Sequence, residues 1–181
     1  MLIRDADADR DAAACARIYS SFVTGTVVSL EEDPPGESEM ARRIMRISAA
    51  YPWLAAEADG ETAGFAYASR HRERAAYRWA ADVSVYVDPR HHRRGIGSAL
   101  LRQLLALLRR QGLWMACAGI TLPNEASVAL HEALGFAPVG IYRRIGYKNA
   151  AWQDVGCWQR PLRPVADGPP PEPGPPVRLE A

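Results

Sequence analysis

The chain has 181 residues, enough for one domain with a substantial core. Its 22 basic and 21 acidic residues leave a net charge of +1, so no global field argues for nucleic acid or a membrane surface as partner. No stretch approaches the ~20 apolar residues that span a bilayer, and Arg4, Asp5, Asp7, Asp9, Arg10 and Asp11 crowd the start where a signal peptide would need an apolar run.

In chain order, Leu2-Ile3-Arg4 reads as a short strand. Asp7 or Asp9 can cap a helix through about Tyr19, with Ala12, Cys15, Ala16 and Tyr19 on one face. Thr24 to Gly36 is polar and broken by Pro34-Pro35, hence a loop, and Ser38 to about Ala50 is a second helix with Met40, Ile44 and Ile47 at helical spacing. Trp53 to Glu57 and Ala63 to Ser69 are strands joined around Asp59-Gly60, a strong hairpin signal. A third strand, about Arg78 to Val87, carries Asp82. Gly97 to Gln111 is the main helix, closed by Gly112. Trp114 to Ile120 is a strand, Asn124 caps a helix to Leu134, and final strands fall near Ala137 to Ile145 and Trp152 to Gln159. This order predicts a mixed α/β (α+β) domain over residues 1–162, built on one largely antiparallel sheet. Eight of the 21 residues from Pro161 to Ala181 are proline, so residues 163–181 are expected to be a flexible tail.

Cys15, Cys117 and Cys157 are odd in number, lie in apolar segments and show no metal spacing. They read as free thiols in a reducing compartment, which places the chain in the cytoplasm. The four histidines include His91-His92 but form no paired-ligand motif, so no metal is expected.

The segment from Val83 to Leu100 is the most informative. A β-rich run stops at Asp88-Pro89, a basic loop follows, and Gly95-Ile96-Gly97 opens the long apolar helix. Glycines let phosphate groups approach the backbone, and the first helical N–H groups are unpaired. Arg90, Arg93 and Arg94 add positive charge. From Arg70 to Arg94 there are seven arginines against Glu73, Asp82 and Asp88, which reads either as a solvated basic face or as a mouth for anionic ligands. No Lys follows the glycines, which excludes a P-loop. Leu100 stands where a dinucleotide fold needs its third glycine, which argues against a nicotinamide-dependent oxidoreductase.

The loop Arg93-Arg94-Gly95-Ile96-Gly97-Ser98 is close to the Q/R-x-x-G-x-G/A loop of the GNAT acetyltransferases, with His92 where that family has Gln or Arg. Tyr51-Pro52-Trp53-Leu54-Ala55-Ala56-Glu57, Asp59 to Gly64, Ser84 to Val87, Leu122-Pro123-Asn124, His131 to Phe136 and Trp152 to Trp158 resemble the phosphinothricin N-acetyltransferase branch of that family. The resemblance implies the GNAT fold and acetyl transfer from acetyl-CoA to the amine of a small amino-acid-like substrate, by direct attack in a ternary complex, in a homodimer. It implies that Val85, Tyr86 and Val87 offer backbone groups to pantetheine, that Arg93 to Ser98 hold the pyrophosphate, and that Asn124 and Ser127 line the same arm. Asp82 stands where the branch has a Glu as general base, one methylene shorter, and His131 stands where the thiolate is protonated. Arg72, Arg74 and Tyr77 match substrate-binding positions, Leu30 replaces an aromatic pocket residue, and His71 replaces a Trp. From the residues alone, Val85 to Val87 read as core, Asn124 as a helix cap and Asp82 as a salt-bridging acid. A GNAT enzyme for a polyamine or a protein N-terminus and a non-catalytic CoA-binding module remain alternatives.

Overall fold

The turn and periodicity signals are realised as seven strands and four α-helices in a computed structural model that describes residues 1–164 and 168–179. In chain order these are β1 (Leu2–Asp5), α1 (Ala8–Gly25), α2 (Glu37–Ser48), β2 (Trp53–Ala58), β3 (Glu61–Arg70), β4 (Ala80–Val87), α3 (Ile96–Gln111), β5 (Met115–Leu122), α4 (Glu125–Ala133), β6 (Ala137–Lys148) and β7 (Ala151–Pro161). One sheet runs β1-β2-β3-β4-β5-β7-β6. Every neighbouring pair is antiparallel except β4 and β5, which are parallel. Asp59 and Gly60 both take positive φ in the predicted β2–β3 turn.

Strand alternation sorts the core to the two faces of the sheet. Leu54, Ala56, Ala66 and Ala68 pack with Leu100, Leu104, Leu107 and Leu108 of α3. Trp53 and Phe65, their immediate neighbours in sequence, pack with Cys15 and Ile18 of α1 and Met40 and Ile44 of α2. Asp11 ties the layers together. Its buried carboxylate accepts from Arg4 at 2.7 and 2.8 Å, from the Asp7 amide at 2.9 Å and from the Thr62 hydroxyl at 3.0 Å. Burial alone would raise its pKa, but these partners outweigh burial and hold it below the usual carboxylate range.

Asp7 is the cap of α1, accepting from the Arg10 amide at 2.9 Å. The helix continues to Gly25 rather than ending near Tyr19. Buried Val23 extends the apolar stripe. The hydroxyls of Ser21 and Thr24, which read as loop chemistry, bond back to the carbonyls of Ile18 and Ser20 inside the helix.

The proline-rich tail departs from expectation. Residues 165–167 and 180–181 lie outside the described residues, but residues 168–179 are laid along the domain. Trp79 Nε1 donates to Pro171 O at 2.8 Å, Gly174 N to Gln111 O at 2.7 Å, Arg178 to Ser48 O at 3.0 Å and Leu179 N to Asp5 Oδ2 at 2.9 Å. Val177 and Leu179 pack on the α3-side core. A segment unable to form helix or sheet still docks when its backbone groups find such partners. Truncation after Pro164 is expected to lower the unfolding free energy by about 2 kcal/mol, a conservative figure for two partly buried aliphatic side chains. A urea melt with an unchanged midpoint would show that these contacts carry no weight.

Candidate active site

β4 and β5 are hydrogen-bonded at Ala80↔Met115, Ala81↔Ala116 and Asp82↔Cys117, and their pairing ends there. Beyond that fork β4 stays paired with β3, and β5 with β7. The facing edges leave a narrow cleft of about 60 Å³ bordered by Ser84, Val85, Tyr86, Asn124, Ser127 and His131. The Tyr86 ring packs against Tyr19 and Phe22, and Val85 and Val87 pack against the α3-side core. These three side chains are therefore packing, as their chemistry suggests, and what β4 offers the cleft is backbone.

The loop after β4 is built around Asp88. Its buried carboxylate caps a 3-10 turn (Pro89–His91) by accepting from the Arg90 amide at 2.9 Å, and it accepts from Arg17 at 2.6 Å. The Arg90 guanidinium, against some desolvation and with help from Arg17, holds it far below the usual carboxylate range. His92 Nε2 donates to Val87 O at 2.9 Å and stitches the loop to the end of the strand. Gly95 caps α3 at φ 79°, a left-handed conformation that strains any residue with a Cβ. Gly97 faces the point where α3, α4 and β4 converge: a Cβ there would stand in ordinary contact, 3.4 Å from Leu130 Cδ2 and 3.5 Å from Val87 Cγ2. The first amides of α3, from Ile96 through Ser98, are left without intrahelical partners.

The arginines of this loop divide. Arg94 is bound to Asp59 at 2.7 Å and to His91 Nδ1 at 2.9 Å. Arg90 is bound to Asp88 at 2.8 Å and Glu61 at 3.1 Å. Both are turned back onto the β2–β3 hairpin. Arg93, at φ 63°, has no ion-pair partner among the described residues and is the loop charge left for a ligand.

Asn124 caps α4, its Oδ1 accepting from the Ser127 amide at 3.1 Å, which leaves its amide N–H groups for the cleft. His131, only 3% exposed, donates from Nδ1 to Ser127 O at 2.8 Å. Its buried Nε2 has no partner among the described residues. Burial lowers its pKa, only partly opposed by the Ser127 carbonyl, so at neutral pH the ring is uncharged with a lone pair at Nε2.

Asp82 closes the fork and also borders a second cleft, of about 420 Å³, with His71, Arg72, Cys117, Tyr142 and Cys157. His71 Nδ1 lies 2.7 Å from Asp82 Oδ1. Burial raises the Asp82 pKa, against the pull of His71 and Arg72. Burial likewise pushes the Cys117 thiol up to about 11, so it is not a nucleophilic thiolate at neutral pH. His71, Asp82 and Cys117 place their ligand-type atoms within 4.8 Å of one another. Donors sharing a zinc at about 2.0–2.2 Å sit over about 3 Å apart in tetrahedral geometry; the 2.7 Å spacing of His71 and Asp82 is that of a shared proton.

The remaining predicted residues lie outside both cleft linings. The Tyr77 ring lies 5.9 Å from that of His71, and Arg74 precedes the 3-10 turn that carries Tyr77 (Ala75–Tyr77), exposed and outside the cleft lining. Leu30 packs over Gly146 of β6, where a Cβ would stand 2.8 Å from Leu30 Cδ1. Its loop is pinned by buried Lys148, which donates to Val23 O at 2.6 Å and Ser29 O at 2.7 Å. Cys157 and Tyr142 enter the second cleft from β7 and β6; only strand register, invisible in sequence, brings them there. A larger groove of about 640 Å³ behind α3 is lined by five arginines, among them Arg102 and Arg160, and holds none of the predicted residues.

A parallel fork beside a glycine-capped helix is a recurrent frame, and the sequence profile of the Acetyltransferase (GNAT) family matches residues 15–136. The chain belongs to the GNAT family. It is an acetyl-CoA-dependent N-acetyltransferase. The acetyltransferase is 42% identical to phosphinothricin N-acetyltransferase of Streptomyces viridochromogenes over 86% of its own length and 90% of the relative's. It is 33% identical to the L-methionine sulfoximine/L-methionine sulfone acetyltransferase of Salmonella typhimurium, over 90% and 95% of the two chains. Among solved structures, the phosphinothricin acetyltransferase of Sinorhizobium meliloti in complex with AcCoA superposes with a TM-score of 0.89 at 38% identity, covering 94% and 93% of the chains. The fork, the free amide of Asn124 and the open α3 amides suit the pantetheine amides and pyrophosphate of acetyl-CoA.

The neutral state of His131 sets an expectation for the acetyltransferase. A thiol with a pKa near ~8.5 departs with little help, so His131→Ala should lower kcat less than about tenfold. A loss beyond about a hundredfold, the scale of general acid catalysis, would instead make His131 the proton donor to the thiolate.

Proposed function

We propose that the enzyme acetylates the amine of a small amino-acid-like acceptor, with phosphinothricin and the methionine sulfone or sulfoximine as the first substrates to test. The reading is supported by the names of its relatives, which include an L-amino acid N-acyltransferase of Escherichia coli at 33% identity over 84% of the chain. The observation that carries it is the place of Asp82. It is the last paired residue of β4 before the fork, and it borders the second cleft. A carboxylate there faces an amine in the second cleft while the acetyl group waits in the first.

In this mechanism the Asp82 site draws a proton from the acceptor ammonium, directly or through a water. The amine attacks the thioester carbonyl in a ternary complex. A β4 amide near Val85 donates to the developing oxyanion, and His131 borders the departing sulfur. Val85 to Val87, Arg93 to Ser98, Asn124 and Ser127 hold acetyl-CoA; Arg94 acts through the loop it braces. Arg72 grips the acceptor carboxylate or phosphinate. Arg74 and Tyr77 form the rim, and Leu30 closes the far wall. A polyamine would meet repulsion from these arginines.

Thiol release from acetyl-CoA, followed against phosphinothricin, methionine sulfone, methionine sulfoximine, common amino acids and spermidine, is expected to be saturable with one of the first three. Asp82→Asn should lower kcat at least about a hundredfold while acetyl-CoA still binds. Turnover confined to spermidine would overturn the acceptor class, and an unimpaired Asp82→Asn enzyme would remove the base.

A homodimer belongs to the same proposal. Val139, Ile141, Tyr142, Ile145, Tyr147 and Trp152 are exposed on β6 and β7 at the sheet edge, a surface that a monomer in water would not favour. A second copy is the proposed occupant, and because Tyr142 borders the acceptor cleft the contact would also wall that cleft. Ile145→Glu should halve the mass seen by light scattering and lower turnover together. Wild-type enzyme that runs as a monomer would end this reading. Its three cysteines are free and no described helix is long and apolar enough to cross a membrane; both features suit the cytoplasm, where acetyl-CoA is made and used.

A further inference from the structure

We propose that His71 and Asp82 work as one unit in which His71 Nε2 takes the proton from the acceptor amine, while Asp82 orients the ring through Nδ1–H. This deepens the acetyltransferase reading and rests on it. The geometry has three parts. His71 Nδ1 lies 2.7 Å from Asp82 Oδ1. A carboxylate oxygen accepts, so Nδ1 carries the hydrogen and the neutral ring keeps its lone pair at Nε2. Among the described residues the bond to Asp82 is the ring's hydrogen bond, and His71 and Asp82 both border the acceptor cleft. The ring is fixed on its other side by the edge of Tyr77, with centroids 5.9 Å apart.

The arrangement of a carboxylate, an oriented imidazole and an exposed Nε2 is how a carboxylate makes a histidine a directed base. It suits a strand Asp with a short side chain. The imidazole carries the site outward from β4 toward the acceptor, where Asp82 alone has one oxygen committed to the ring. The surrounding groups that could also titrate or bear charge are Arg72 and Tyr77 on the β3–β4 connection, Cys117 of β5, Tyr142 of β6 and Cys157 of β7. The Cys117 and Cys157 thiols are pushed up by burial and by the Asp82 charge, so neither competes as base.

The protons balance as follows. The acceptor ammonium gives one proton to Nε2, and the free amine attacks the thioester carbon. The C–N bond forms and the C–S bond breaks, with the electron pair leaving on sulfur. The amine nitrogen loses its second proton as the amide forms, the thiolate takes up one, and one proton is released to solvent. No oxidant or further reactant is needed.

The test uses His71→Asn, whose amide can still donate to Asp82 but has no basic lone pair, and His71→Ala with free imidazole. His71→Asn is expected to lose about a hundredfold or more in kcat with acetyl-CoA affinity unchanged. His71→Ala should recover at least tenfold when imidazole is added, a response that a merely structural role would not give. Nitrogen-detected NMR of the wild-type enzyme should show the neutral ring protonated at Nδ1. A His71→Asn enzyme within a few-fold of wild type, or a ring protonated at Nε2 when neutral, would overturn the assignment. Either result leaves the acetyltransferase reading standing if wild type turns over; absence of wild-type turnover across the acceptor panel overturns that reading instead, while the NMR still reports on His71.

Discussion

The structure depends on two strands that begin together and then part. β4 and β5 share three residue pairs and diverge after Asp82↔Cys117. A parallel sheet normally pairs along its whole length, because each unpaired backbone group costs free energy when buried. Here the facing edges stay apart and border the narrow cleft. The helix between the two strands must then begin at the open end, which puts its unpaired amides beside the same gap. Asp82 falls at the crotch for the same reason. One departure from regular pairing thus sets the narrow cleft, the glycine loop beside it and the position of the Asp82 carboxylate.

The electrostatics of the loop follow from competition. A count of basic residues suggests a strong anion trap, yet Arg90 and Arg94 are satisfied by Asp88, Glu61 and Asp59. They brace the loop onto the β2–β3 hairpin, which holds the first backbone amides of α3 in a fixed position. Rigid neutral donors lose little entropy on binding, whereas a mobile arginine must be ordered first.

The order of elements, the hairpin at Asp59-Gly60, the caps at Asp7 and Asn124 and the glycine-opened α3 were all legible, because each rests on local chemistry. The division of Trp53 and Phe65 from Leu54 and Ala66 between two cores follows from strand alternation once the strands are placed. What was not legible rests on distance in sequence. The extension of α1 depends on tertiary burial of Val23. Cys157 and Tyr142 reach the acceptor cleft through register alone. The bond from His71 to Asp82 closes across the β3–β4 connection, and a histidine in a basic run gives no sign of it. The docking of the tail was missed because proline content speaks against regular structure, and says nothing about whether Val177 and Leu179 find a surface.

The bond from the Leu179 amide to Asp5 joins residues 174 positions apart. On a ribosome the strand that Leu179 clasps is made early, and the clasp itself late. The entropy of closing so long a loop grows only as its logarithm, but it is small only after the sheet has already brought both ends to one edge. The clasp is therefore a consequence of folding and not a guide to it: it contributes nothing to finding the sheet, and acts afterwards as a brake on fraying of β1, one of its two edge strands.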